Sequence, residues 1–339
     1  MRNSKLTTAV IGIAASSVLL AGCSGASDSD ATAASDAWTI GYAAPVQSQQ
    51  GQQAITNGMI GAAADLGWKT DILDANLSAD KQSSDMQTML QKGDNVLALW
   101  TLDMGAMQGT FAQAKAANVP LIGVNDRSPE FTTSVFWEVY LCEADDAPNK
   151  LTAQMIAKAH PGGKILVMGG PPVASLQANV ACFVEAAEAA GLEVVNETDN
   201  MTDDPAAASS LAADMLSKYP GVDAFWSYND ASALGISAAI IQSGGTISDG
   251  TSPGIILVGT NGDDDAIQAI KQGRLTGTWD PNTTATGAAV VKAAKDIQDG
   301  NPDKELVVKS TFWTKANLDS YVAPDDRSYS LDDLPLVTQ

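Results

Sequence analysis

The residues with most chemistry to offer stand where short apolar runs end. Asn229 and Asp230 close the run AFWSYN (224–229) and precede a small-residue helix. That places two polar tips side by side, where capping a helix takes only one. Asp126 and Arg127 follow PLIGVN (120–125), Trp100 closes VLALW (96–100), and Trp279 with Asp280 closes LTGTW (275–279). Gln49 and Gln52 lie in an amide-rich stretch after WTIGYA (38–43), and Gln177 and Asn179 lie on a helix beyond KILVMG (164–169). Indole rings stack on the C–H faces of a polyhydroxylated ligand, while carboxylates, amides and a guanidinium take its hydroxyls in paired hydrogen bonds. Trp226, in mid-strand, reads as core; Trp137 in SVFWEVY fits either role, and Arg127 can equally be a surface charge.

Other motifs carry less. Residues 250–254 spell G-x-S-x-G, but the apolar strand follows the serine instead of preceding it, and Pro253 lacks the N–H that would donate to an oxyanion. The single histidine, His160, precedes that serine, so the stretch reads as a turn and no catalytic residue is assigned. One histidine and three cysteines give a zinc site almost no material, and neither a metal nor a cofactor is expected. The acidic clusters at 203–204 and 263–265 each precede a helix, where carboxylates cap free N–H groups, so capping is the expectation there.

The elements that must position these side chains alternate almost without interruption. Helical patterns near 52–66, 80–92 and 104–117 separate apolar runs at 38–43, 71–75, 96–100 and 120–125. After a helix near 148–159 a second series follows at 164–169, 192–196, 224–229, 255–260 and 275–279. Strand, helix, strand predicts parallel sheets with right-handed crossovers, and continuously apolar strands predict cover on both faces. The expected fold class is α/β, with two doubly wound parallel-sheet lobes. In such sheets ligands sit beyond the carboxyl ends of the strands, where the polar residues above fall.

Composition bounds the rest. Arg2 and Lys5 precede a mostly apolar run from 6 to 20, and Leu-Ala-Gly-Cys closes it at Cys23, so residues 1–22 read as an export signal. Residues 23–37 hold almost no large apolar side chain and read as a tether. With 19 basic and 40 acidic residues the formal net charge is −21, which argues against nucleic acid and is read as solubility in preference to a cationic ligand. Cys142 and Cys182 can pair in an exported protein; the sequence does not fix their separation, so bridge and free thiols both stand.

Taken together, IGYAAP to NG (40–58), PLIGVNDR, YNDASALG, LVGTNG and KANLDSY resemble the type I periplasmic sugar-binding proteins of ABC transporters, the ribose- and galactose-binding group. The resemblance covers nearly the whole chain after residue 37, and YNDASALG is its most specific stretch. It implies a three-segment hinge, with lobe one at 38–142 plus 281–310, lobe two at 143–280 plus 311–325, and a tail at 326–339. It also implies that Asp230, supported by Asn229, binds sugar hydroxyls. Asp126 and Arg127 stand, within a one-residue slip, where the family has an Asp-Arg pair, and Asp280 falls near a family amide. Gly51 and Gln52 replace the paired phenylalanines of ribose binders, and Asn179, with Gln177 nearby, replaces an arginine. These departures point away from ribose, toward another sugar, a polyol or a cyclitol, with Trp100 or Trp279 supplying the stacking surface.

The Cys at 23 resembles a lipobox, which implies a lipidated anchor on the outer face of the cytoplasmic membrane. The implied protein is a monomeric solute receptor that closes on its ligand and hands it to an ABC permease. A receptor for a signalling molecule or a chemoreceptor partner has the same fold. A DNA-bound regulator would need a helix-turn-helix before the first strand, and an exported hydrolase would need a base for its nucleophile.

Overall fold

The computed structural model describes residues 37–338, so Cys23, the expected signal at 1–22 and all but the end of the expected tether lie outside the described residues. Two six-stranded sheets organise the chain. The first contains β1 (Thr39–Ala44), β2 (Lys69–Asp74), β3 (Val96–Leu99), β4 (Leu121–Val124), β5 (Thr133–Trp137) and β11 (Glu305–Val308), in the order β11-β5-β4-β3-β1-β2. The second contains β6 (Lys164–Gly169), β7 (Glu193–Asp199), β8 (Ala224–Ser227), β9 (Ile256–Thr260), β10 (Gly277–Asp280) and β12 (Thr311–Thr314), in the order β12-β10-β9-β8-β6-β7. Every pairing is parallel except the antiparallel β10 with β12. The two orders are the same winding repeated, so the fold is the expected pair of doubly wound lobes.

Between the strands run α1 (Gln50–Asp65), α2 (Ala79–Lys92), α3 (Met104–Ala116), α4 (Pro148–Ala159), α5 (Ala174–Ala189), α6 (Pro205–Lys218), α7 (Asp230–Gln242), α8 (Asp264–Lys271) and α9 (Thr283–Gln298). Local chemistry sets their starts. Ser78, Asp103, Asp204, Asn229 and Asn282 each accept a backbone N–H of the following first turn, and Pro148 and Pro205 occupy first helical positions. Central strands such as β3, β4 and β8 are buried throughout, because helices cover both faces of each sheet. Gly58 and Gly287 let α1 and α9 approach backbone to backbone; a Cβ at either would collide with the carbonyl of Thr284 or Ile55.

The chain passes between sheets after β5, after β10 and after β11, which is a three-segment hinge. The C-terminal segment then adds a contact that the expected strand list does not contain. Leu336 bridges Val308 of β11 antiparallel, with Val337 N–H donating to the Val307 carbonyl at 2.8 Å, so the tail returns to the first sheet. On its way Arg327 forms a buried ion pair with Asp280 at 2.6 Å. Cys142, just past β5, and Cys182 on α5 are joined as a disulfide with Cα atoms 5.6 Å apart.

Candidate functional site

Each sheet reverses its winding direction beside its first strand, and the carboxyl ends of the two sheets face one cavity. From the first sheet, the end of β1 supplies Pro45, Val46 and Gln49, the start of α1 supplies Gly51 and Gln52, β3 supplies Trp100 and Leu102, and β5 leads to Trp137 and Tyr140. From the second, β6 leads to Pro171 and Val173, β7 to Asp203, β8 to Tyr228 and Asn229, and β9 to Asn261. The cavity measures about 60 Å³. At roughly 10–15 Å³ per water it has room for about four to six waters, which suits a small single-ring molecule and not a polymer.

Its aromatic wall is tightly built. Trp100 meets Trp137 edge-on with ring centroids 4.9 Å apart, and Tyr140 packs against both. Each indole N–H is already spent: Trp100 Nε1 donates to Ser175 Oγ at 2.8 Å and Trp137 Nε1 to Thr286 Oγ1 at 2.9 Å. The rings therefore offer the cavity apolar surface instead of donors.

The polar wall centres on Asp203. Its backbone takes φ 55°, a left-handed conformation that Asp tolerates better than most side chains. Tyr228 OH and Asn229 Nδ2 both donate to Asp203 Oδ1, the latter at 2.6 Å, and Gln49 Nε2 donates to Oδ2 from the other lobe. Burial raises the Asp203 carboxyl above the usual carboxylate range; the Tyr228 and Asn229 donors pull it back, and the neighbouring Asp204 charge adds to the rise. The capping expectation thus splits. Asp204 caps α6 by accepting from Ala206 and Ala207 N–H, which frees Asp203 to face the cavity. Asp263 stands at the cap position of α8 and makes no side-chain cap bond.

Of the residues singled out in the sequence, Gln49, Gln52, Trp100 and Asn229 line this cavity, and the other seven are placed elsewhere. Asp126 accepts from Ser128 N–H at 2.9 Å in a local turn, and Arg127 is exposed, paired with Glu305 and stacked 3.9 Å from the Phe136 centroid. Gln177 is exposed on α5, whereas Asn179 is buried and accepts from Asn149 Nδ2 at 2.7 Å. Trp279 donates to Thr152 Oγ1 at 2.8 Å and packs on Phe312. Asp280 accepts from Trp313 Nε1 at 2.9 Å besides its pair with Arg327.

Asp230 is the most consequential of the seven. It is fully buried, accepting from Thr278 Oγ1 at 2.7 Å and from Asp263 N–H at 2.9 Å, so it pins the loop after β9 to α7. Burial pushes its carboxyl up, countered by the Thr278 and backbone donors. Its neighbour Asn229 does double duty instead, capping α7 through Ser232 N–H at 2.9 Å while its amide nitrogen reaches Asp203. Sequence reading missed Asp203, Tyr228, Tyr140 and Asn261. Tyr228 and Asn261 carried a signal, since both sit at the carboxyl ends of apolar runs; Asp203 carried none that distinguished it from a cap.

Residues 40–302 match the family model described as periplasmic binding protein domain. Among curated proteins, the ribose import binding protein RbsB of Bacillus subtilis is 26% identical over 271 residues, covering 80% of this chain and 85% of that protein. The xylitol-binding protein of Mycolicibacterium smegmatis is 26% identical over 277 residues, 78% of this chain and 74% of that one. Among solved structures, the Caulobacter myo-inositol binding protein bound to myo-inositol superposes with a TM-score of 0.73 at 23% identity, over 83% of this chain and 94% of that one, and shares the fold.

Proposed function

The chain belongs to the periplasmic binding protein domain family, and we propose that it is an extracytoplasmic receptor that captures a sugar or polyol and delivers it to an ABC permease by hinge closure. The observation that carries this reading is the composition of the cavity wall, which comes from strand ends of both sheets. A ligand there touches both lobes at once, and it biases the hinge by the difference in its contacts between open and shut states. Binding of that kind breaks no bond, and the protein is a receptor and not an enzyme. The names of the ribose- and xylitol-binding relatives support a carbohydrate or polyol as ligand.

In this reading Gln49, Gln52, Trp100 and Asn229, joined by Asp203, Tyr228 and Asn261, contact ligand, while Asp230 and Asp280 hold the loops that present them. The lobes comprise 38–142 plus 281–310 and 143–280 plus 311–325, and the receptor acts as a monomer. Lipidated Cys23 anchors it to the outer face of the cytoplasmic membrane. Cys23→Ala is expected to release the protein into the medium; membrane retention of that variant would count against the anchor.

A thermal-shift screen against pentoses, hexoses, disaccharides, polyols, cyclitols and amino acids tests the receptor reading. A ligand bound only by the native state stabilises it by roughly 4 kcal/mol at a thousandfold excess over Kd. A shift from a monosaccharide-sized carbohydrate or polyol is expected, and silence across those classes would overturn the assignment.

A further inference from the structure

The cavity holds one carboxylate and, among its lining residues, no lysine or arginine. Asp203 is half-buried, and its three side-chain partners, Tyr228, Asn229 and Gln49, are all neutral donors. Among the described residues no cation stands within ion-pair distance of it; the basic side chains that make ion pairs serve Asp71, Asp85, Asp223, Asp249, Asp280, Asp296, Asp299 and Glu305 instead. A carboxylate taken partly out of water without a cation is costly, and a neutral ligand leaves that cost in place.

A second, separate observation points the same way. Gln52 is 7% exposed, lines the cavity, and its Oε1 has no hydrogen-bond partner. Gln52 and Asp203 come from opposite lobes and line the same cavity. The donors beside Asp203 are already engaged with it, and its remaining lone pairs are open to a donor brought by the ligand. An ammonium group has three donors and no acceptor, whereas a hydroxyl brings lone pairs that need donors of their own. The rest of the wall includes the rings of Trp100, Trp137, Tyr140 and Tyr228, and ring faces attract cations as well as C–H surfaces.

Resting on the receptor reading above, we propose that the ligand is an aminated carbohydrate, an amino sugar or amino polyol, whose ammonium group is held by Asp203 and Gln52 Oε1 while its ring packs on the indoles. The net charge of −21 adds long-range attraction for such a cation, although the local geometry and not the overall charge selects it. The wall has no basic side chain, which disfavours uronates and sugar phosphates.

Titration calorimetry on the purified protein tests this with matched series: neutral hexoses and cyclitols, their amino analogues with the amine free, and the corresponding uronates. The expected result is that an amino analogue binds about tenfold or more tighter than its neutral parent, with no binding of the uronate. Asp203→Asn is expected to bring amine and parent within about twofold, and Asp203→Glu to restore part of the preference. If Asp203→Asn fails to fold, the wild-type ratio of amine to parent decides alone. A neutral parent that binds as tightly as its amine, or more tightly, overturns the inference and leaves the carbohydrate receptor standing. Silence from every series overturns the receptor reading and this inference with it.

Discussion

Asp94 shows what the fold tolerates at a single residue. It is buried beside Gly41, its Oδ2 has no partner, and Asp71 stands close by, itself held by Lys92 at 2.6 Å. Burial first and the Asp71 charge second push its carboxyl up to about 6, against the opposing pull of Lys92. In the unfolded chain it titrates near 4, so between those values the folded protein holds a proton that the unfolded one has released. Its contribution to stability is whole below about pH 4 and is lost as pH rises through about 6. Asp94→Asn should therefore raise the melting temperature at pH 8 and flatten the decline between pH 4 and 7; a variant that melts lower than wild type at pH 8 would show that the ionised carboxylate is stabilising. Asp94, Asp203 and Asp230 look alike in the sequence, and their roles are set by partners far along the chain, such as Thr278 for Asp230, 48 residues away, and Gln49 for Asp203, 154 away. Asn229 was legible because it follows a strand directly. Asp203 was not, because a left-handed backbone and the use of Asp204 as cap decide where it points, and neither is written in local composition.

At the scale of elements, helices and central strands were legible because their apolar periods are long and unbroken. The strands β5, β11 and β12 were not picked out, because β11 joins β5 and β12 joins β10 from distant parts of the chain, which no local pattern marks. The returning tail was invisible for the same reason: its anchors are single contacts, chiefly Arg327 on Asp280, Tyr329 OH on Asn282 Oδ1 and the bridge of Leu336 to Val308. The Arg327–Asp280 pair has side chains only 8% and 3% exposed, at the end of β10 where the chain crosses between lobes. Removing one partner of a buried pair strands the other charge. Arg327→Ala should cost about 3–5 kcal/mol in urea unfolding, and adding Asp280→Leu should recover part of that loss. If the double variant were as unstable as the sum of the singles, the tail would be held by its apolar side chains, and the ion pair would be incidental.

For the whole molecule, two devices limit how the lobes move. The Cys142–Cys182 bridge ties the segment after β5 to α5 across a sequence separation of 40. By the chain-entropy relation, closing a loop of that length is worth about 4 kcal/mol, so Cys142→Ser with Cys182→Ser should lower stability by up to that amount while sparing ligand affinity. The second device is reversible and bears on function. Three contacts hold the cleft shut: Gln49 to Asp203, Trp100 Nε1 to Ser175 Oγ at 2.8 Å, and Asp264 N–H to Gln50 Oε1 at 3.2 Å. All three exist only when the lobes meet, so each adds to the population of the shut form before any ligand arrives. Apparent affinity scales with the fraction of protein that is competent to hold the ligand. Ser175 adjoins the cavity without lining it, so Ser175→Ala removes one bond of the shut state and no ligand contact. A buried indole N–H left without its acceptor costs about 1 kcal/mol, roughly a fivefold factor in an equilibrium. Ser175→Ala should weaken ligand binding by up to about fivefold in calorimetry, while small-angle scattering shows a larger radius for the empty variant and the same radius once ligand saturates it. Unchanged affinity with an unchanged empty radius would mean that ligand contacts alone set closure, and that the bond from Trp100 follows the motion without favouring it.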